Sequence, residues 1–93
     1  MSITIYVPRD STAIALGAND VALAIEEEAR TRGIDVRIVR NGSRGMFWLE
    51  PLVEVATGHG RIAYGPVAVG DVVSLFDGGL ERGGAHPLLL GAP

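Results

Sequence analysis

The chain has 93 residues, a net charge of −3 at neutral pH and a hydrophobic content of 47%. This length suits one domain, no apolar run approaches the ~20 residues of a membrane-spanning helix, and the negative charge disfavours nucleic acid as a partner. The absence of cysteine excludes disulfides, thiol nucleophiles and the thiolate ligands of zinc and iron–sulfur sites. The first residues lead directly into a strand pattern rather than into a signal sequence, so we expect a cytoplasmic protein with no membrane partner.

The first half of the chain predicts a strand followed by a helix. Residues 3–7 alternate β-branched and aromatic side chains and end at Pro8, which is typical of a strand. A helix is predicted over about residues 12–32, capped by Ser11, weakened at Gly17 and ended by Gly33. Apolar residues at helical spacing predict its buried stripe: Leu16, Val21, Ile25 and Ala29.

The second half predicts a further strand, a hairpin and a short helix. Residues 35–40 complete a parallel βαβ unit, and residues 52–56 and 61–64 form an antiparallel hairpin. Residues 71–76 predict a helix that covers the sheet with Val72, Val73, Leu75 and Phe76. The fold class is therefore α/β, a thioredoxin-like β-α-β-β-β-α order with a mixed sheet. We expect the domain to span residues 1–77, and residues 78–93 to form a Gly/Pro-rich arm or linker without packed elements.

The frame of glycines resembles the thioredoxin-like ferredoxin domain of the NADH-oxidising arm of respiratory complex I. The shared positions are Gly17-Ala18, Gly42-x-x-Gly45, Gly65 and Asp71-Val72. The resemblance places the four cluster ligands of that family on residues that are not cysteine, namely Pro8, Ala13, Ser43 and Phe47. It therefore implies a ferredoxin-type domain that binds no iron–sulfur cluster and has no cofactor of its own.

A narrower resemblance involves residues 5–10, 39–52 and 86–88, and above all the run Asn-Gly-Ser-Arg-Gly-Met-Phe-Trp-Leu-Glu-Pro at 41–51. These segments are similar to the start of the beta (diaphorase) subunit of cytosolic NAD-dependent formate dehydrogenases. The resemblance implies an amino-terminal piece of a longer subunit whose remainder binds FMN, NAD and an iron–sulfur cluster. It further implies a non-catalytic scaffold that contacts that remainder and the gamma or alpha subunit.

The four apolar residues 46–49 cannot all face one side of a strand. Trp and Met are enriched at protein interfaces, so the candidate interface comprises Arg44, Met46, Trp48 and Leu49. The alternative is that Phe47 and Trp48 fill the volume that a cluster and its loop would occupy, and the place of Phe47 at a ligand position of the resembling family favours it. Both alternatives stay open for different residues, and Trp48 is assigned to docking.

Other features offer weaker alternatives. The loop from Gly42 to Gly45 is expected to be a simple turn, and the alternative is that its amides, with Ser43 and Arg44, bind an anion or nucleotide. Glu50 and Glu54 are expected to be solvated and too far apart for acid–base catalysis. His59 is expected to be exposed, and His86 supports no prediction alone. A thiol oxidoreductase, which the fold suggests, is excluded by the absence of cysteine.

Overall fold

The computed structural model describes residues 3–8, 17–41, 52–57 and 60–91. Two helices and five strands make up this part of the chain, with short 3₁₀ turns at Val69–Asp71 and Leu80–Arg82. The helices are α1 (Ala18–Thr31) and α2 (Val72–Asp77). The strands are β1 (Ile3–Pro8), β2 (Val36–Asn41), β3 (Val53–Thr57), β4 (Gly60–Tyr64) and β5 (Leu89–Gly91).

The five strands form one mixed sheet in the order β2-β1-β3-β4-β5. β1 and β2 are parallel, as a βαβ unit requires, and pair in register from Ile3 with Val36 to Pro8 with Asn41. The other three pairs are antiparallel. The predicted α/β class, with its parallel βαβ unit and its β3–β4 hairpin, is confirmed.

Helix α1 begins later than the sequence predicted. Gly17 has a left-handed φ of 101° and lies at the amino-terminal cap, so the continuous helix starts at Ala18. The predicted first turns, with Ser11 and Leu16, lie outside the described residues. Val21, Ile25 and Ala29 are buried, which confirms this part of the predicted stripe.

The core lies between the two helices and one face of the sheet. Val72, Leu75 and Phe76 are buried on α2 at spacings of three and four residues. This spacing directs Val73 away from the core, and it is 52% exposed. The expectation that Val73 covers the sheet is therefore wrong. The sheet and the adjoining segments contribute other buried side chains, including Ile5, Val7, Val53, Val55, Tyr64, Val67 and Leu80.

The segment after Asp77 differs from the expected unpacked arm. Leu80 is fully buried, and β5 pairs with Ala63 and Tyr64 of β4. The glycines permit this packing, since a side chain on Gly84 would overlap the carbonyl oxygen of Gly78. A glycine-rich composition therefore reflects close backbone contact here rather than a flexible linker.

Candidate functional site at the carboxyl ends of β1 and β2

The carboxyl ends of β1 and β2 lie side by side. Pro8 is the last residue of β1, is buried and pairs with Asn41, the last residue of β2. The resemblance places the cluster ligands at and after these two strand ends. The two segments that carry the ligand positions therefore start from neighbouring residues. Of the predicted ligand positions only Pro8 is described, because Ala13, Ser43 and Phe47 lie outside the described residues.

The predicted interface also falls outside the described part of the chain. This applies to Arg44, Met46, Trp48 and Leu49, and to the loop from Gly42 to Gly45. Their proposed roles remain predictions. The structure describes only the residues at either end of this segment, Asn41 and Leu52.

Arg40 is the main polar side chain at this end of the sheet. Its Nε donates to the carbonyl oxygen of Val7 at 3.1 Å, and one terminal nitrogen donates to the carbonyl oxygen of Pro8 at 3.0 Å and to Oδ1 of Asn19 at 2.8 Å. A single half-buried guanidinium thus joins β1, β2 and α1. These three acceptors are neutral, and no carboxylate pairs with Arg40 in the described ranges, so its positive charge is not neutralised there.

Sequence analysis missed Arg40, although its position carried a signal. Arg40 pairs with Val7, and Ile38 pairs with Ile5, so both belong to the strand face that packs on the core. An arginine in the apolar phase of a strand is a departure from simple alternation. Residues 35–38 alternate polar and apolar side chains, whereas Val39 and Arg40 stand in the opposite phase. This change of phase indicates that the arginine makes specific hydrogen bonds on the core side of the strand.

An open groove of about 420 Å³ runs beside Arg40 between α1 and the outer edge of β2. Its floor and walls include the side chain of Leu23, which is 57% exposed. The groove is lined by Asn19, Ala22, Leu23, Glu26, Ile38 and Arg40. It combines an apolar surface with one cationic and one anionic group.

Glu54 lies on the sheet face opposite the core side chains of β3 and is only 2% exposed. Its Oε1 lies 3.8 Å from a terminal nitrogen of Arg61, whose guanidinium stacks 3.7 Å from the ring centre of Tyr6. Glu54 also makes a further interaction. The expectation of a solvated Glu54 is wrong, because pairing with an arginine allows the carboxylate to be buried. Glu50 lies outside the described residues.

Ser74 and His86 form a pair that superficially resembles a nucleophile and its base. Oγ of Ser74 lies 2.9 Å from Nε2 of His86, while the amide of Leu88 donates to Nδ1 at 3.1 Å. Because Nδ1 accepts, the neutral ring carries its proton on Nε2 and donates it to Ser74. Nε2 then cannot remove the hydroxyl proton, which Ser74 donates to the carbonyl of Asp71. The pair holds the segment before β5 against α2.

Tyr64 is buried beneath the glycine-rich segment and donates its hydroxyl proton to the carbonyl oxygen of Gly84. Burial raises the pKa of the Tyr64 phenol, and the nearby negative charge of Glu81 raises it further. Oε1 of Glu81 is itself buried without a hydrogen-bond partner. The phenol is thus held in its neutral, donating form.

Two further kinds of site were sought among the described residues, a metal site and a membrane-spanning helix. Within these ranges no group of three His, Asp or Glu side chains is arranged to hold a metal ion. No helix there has the length and apolar character to cross a bilayer.

Comparisons with known proteins identify the fold. No protein-family model and no curated protein matches the chain. Among solved structures it is similar to the wild-type thioredoxin-like [2Fe-2S] ferredoxin from Aquifex aeolicus, with a TM-score of 0.77 and 21% identity over 96% of each chain. A cysteine-to-serine variant of that ferredoxin gives a TM-score of 0.77 and 22% identity over 96% of this chain and 98% of the other.

Both of these similar proteins are [2Fe-2S] ferredoxins, whereas this chain lacks the residues that such a cluster needs. Clusters of this type are held by cysteine thiolates, and the chain contains none. The side chain of Pro8, where the resemblance places the first ligand, has no donor atom. The chain has the fold of a thioredoxin-like ferredoxin, built without the residues that hold its cluster.

Proposed function

We propose that this chain is a non-catalytic, cluster-less scaffold and docking domain in the NAD- and FMN-binding beta subunit of an NAD-dependent formate dehydrogenase. The whole enzyme would convert formate and NAD⁺ to CO₂ and NADH. One observation carries the proposal: the fold matches a [2Fe-2S] ferredoxin over 96% of its length, yet no cysteine is present. A ferredoxin fold without cysteine keeps its scaffold and its surface, and the function of a fold depends on the sites that its surface carries.

The described side chains support a non-catalytic role. Ser74 cannot be activated by His86 in the ring form that the hydrogen bonds select. Glu54 is buried against Arg61 and is not presented in a cleft. In this part of the chain, neither group has the geometry of an acid, base or nucleophile.

The proposed partners are the remainder of the beta subunit and the gamma or alpha subunit. Their contact would include Arg44, Met46, Trp48 and Leu49. The segment that carries these residues starts after Asn41, beside Pro8 and next to the cationic Arg40.

The single tryptophan of the chain makes a direct test available. The 93-residue chain is titrated with the separately produced remainder of the beta subunit and with the gamma and alpha subunits, all of them in Trp-free form. We expect a saturable blue shift of the Trp48 fluorescence with at least one of them, because docking removes the indole from water. A W48F variant, assayed by sedimentation, should bind more weakly. No complex with any subunit would overturn the proposal.

A second function, an anion- or nucleotide-binding module, is favoured by the charge of Arg40. This guanidinium has only neutral partners among the described residues and directly precedes the segment that contains the loop from Gly42 to Gly45. Titration with NAD, NADH, FMN and formate, followed by amide NMR, separates the two functions. Saturable shifts confined to Ser43 and Arg44 would favour ligand binding over docking.

A further inference from the structure

We infer that the outer edge of β2 and the groove beside it form a docking site for an extended segment of a partner protein, which adds a strand to the sheet. The groove is the one lined by Asn19, Ala22, Leu23, Glu26, Ile38 and Arg40. The inference rests on the proposed docking role. It adds a second docking surface and specifies which side chains a partner segment presents to that surface.

The backbone of β2 is suited to strand addition. β2 lies at one end of the sheet and, among the described strands, pairs only with β1. It runs for six residues in regular register from Val36 to Asn41 without a bulge. The outward amides and carbonyls of such an edge can pair with another chain, and peptide-binding domains use this mode of recognition.

An apolar surface beside the edge would receive one side chain of the partner. Leu23 exposes 57% of its surface, whereas Ala22 is buried and Ile38 is half-buried beside it. In a strand, the side chains that point to one face recur every second residue. An added strand therefore presents alternate side chains to Leu23 and Ile38, and an apolar residue at one of these positions buries both.

The charged groups of the groove lie toward opposite ends. Arg40 contacts Asn19 in the first turn of α1, and Glu26 lies seven residues further along, which is ~10 Å in a helix. Three same-face positions of a strand span ~13 Å from first to last. The favoured segment therefore has an acidic residue near Arg40, an apolar residue between, and a basic residue near Glu26.

A second copy of this chain does not meet these requirements. β2 contains Arg37 and Arg40 and no acidic residue. Two β2 edges paired together would bring four guanidinium groups into one strand pair, and like charges across strands are destabilising. The occupant is therefore a different protein, with the alternation acidic, apolar, basic on one face.

The test uses the full chain and a synthetic peptide, acetyl-Thr-Glu-Thr-Val-Thr-Lys-Thr-amide, followed by amide NMR. We expect saturable shifts along β2 and in the first turns of α1. An L23E variant should lose affinity about tenfold, because it removes the apolar contact and adds a charge. V73E is the matched control: Val73 is 52% exposed on α2, away from the groove, and its variant should bind like the parent protein.

Charge exchange tests the role of Glu26. An E26K variant should prefer a peptide in which the lysine is replaced by glutamate. Equal binding by L23E and V73E, no shifts in β2, or β2 shifts that depend on protein concentration alone would each overturn the inference. If the Trp48 response to the subunits persists while the peptide fails, only this inference falls and the proposed function stands.

Discussion

The carbonyl oxygen of Pro8 accepts a hydrogen bond from the guanidinium of Arg40 at 3.0 Å. Pro8 stands where the resemblance places a cluster ligand, and Arg40 lies at the end of the neighbouring parallel strand. A side chain of the protein thus joins the two strand ends. Through Asn19 the same guanidinium also fixes the start of α1.

Removal of the Arg40 side chain should destabilise the fold. An R40M variant loses three hydrogen bonds and leaves the carbonyl groups of the buried residues Val7 and Pro8 without these donors. We expect the free energy of unfolding to fall by about 1–3 kcal/mol, measured by urea denaturation. R37M is the matched control, since Arg37 is exposed on the same strand. Equal effects of the two substitutions would show that Arg40 has no special structural role.

Substitutions of glycine should distinguish close packing from a linker. G84A forces a methyl group against the carbonyl oxygen of Gly78 and should cost ~2 kcal/mol or more. G70A is the control, because Gly70 has open space around it and lies in a 3₁₀ turn, where alanine should be neutral or slightly stabilising. Thermal unfolding of both variants provides the measurement. If G84A melts with the parent protein, residues 78–84 are not packed as described.

Because the pKa of Tyr64 is raised in the folded protein, the free energy of unfolding should decrease at high pH. Burial and Glu81 raise its pKa in the folded state above the ordinary value of 10.0, so the folded protein favours the neutral phenol. The resulting stability is fully present below pH 10 and is lost as the pH rises through the folded-state pKa. Urea unfolding between pH 8 and pH 11.5 should show this decline in the parent protein. In Y64F the decline should be shallower, and an unchanged slope would contradict the role assigned to Tyr64.

The ring of His86 should carry its proton on Nε2 when neutral. The amide of Leu88 donates to Nδ1 at 3.1 Å, which requires an unprotonated nitrogen there. Long-range ¹⁵N–¹H NMR correlations of the imidazole distinguish the two neutral forms directly. A proton found on Nδ1 would make Nε2 an acceptor and would reopen the question of a reactive Ser74.

Local patterns predicted the regular elements because their signals are short-range. The alternation of β1, the helical spacing of Val21, Ile25 and Ala29, and the stop at Gly33 each depend on neighbouring residues alone. Gly33 has the left-handed φ of 70° that its position requires. Such local features are sufficient to predict the α/β class without knowledge of tertiary contacts.

Long-range contacts explain what the sequence patterns missed. The burial of Glu54 depends on Arg61, a residue of the next strand, and the role of Arg40 depends on carbonyl groups of β1. The glycines after Asp77 suggested a linker because composition alone does not distinguish flexibility from close backbone contact. Only the position of Leu80 in the core decides between them.

The most direct measurement is the iron content of the full chain after anaerobic incubation with ferrous iron and sulfide. If the domain folds without a cluster, we expect no bound iron, no visible charge-transfer absorption and an unchanged melting temperature. Stoichiometric iron accompanied by visible absorption bands would contradict it, since ligands other than cysteine would then be holding a cluster.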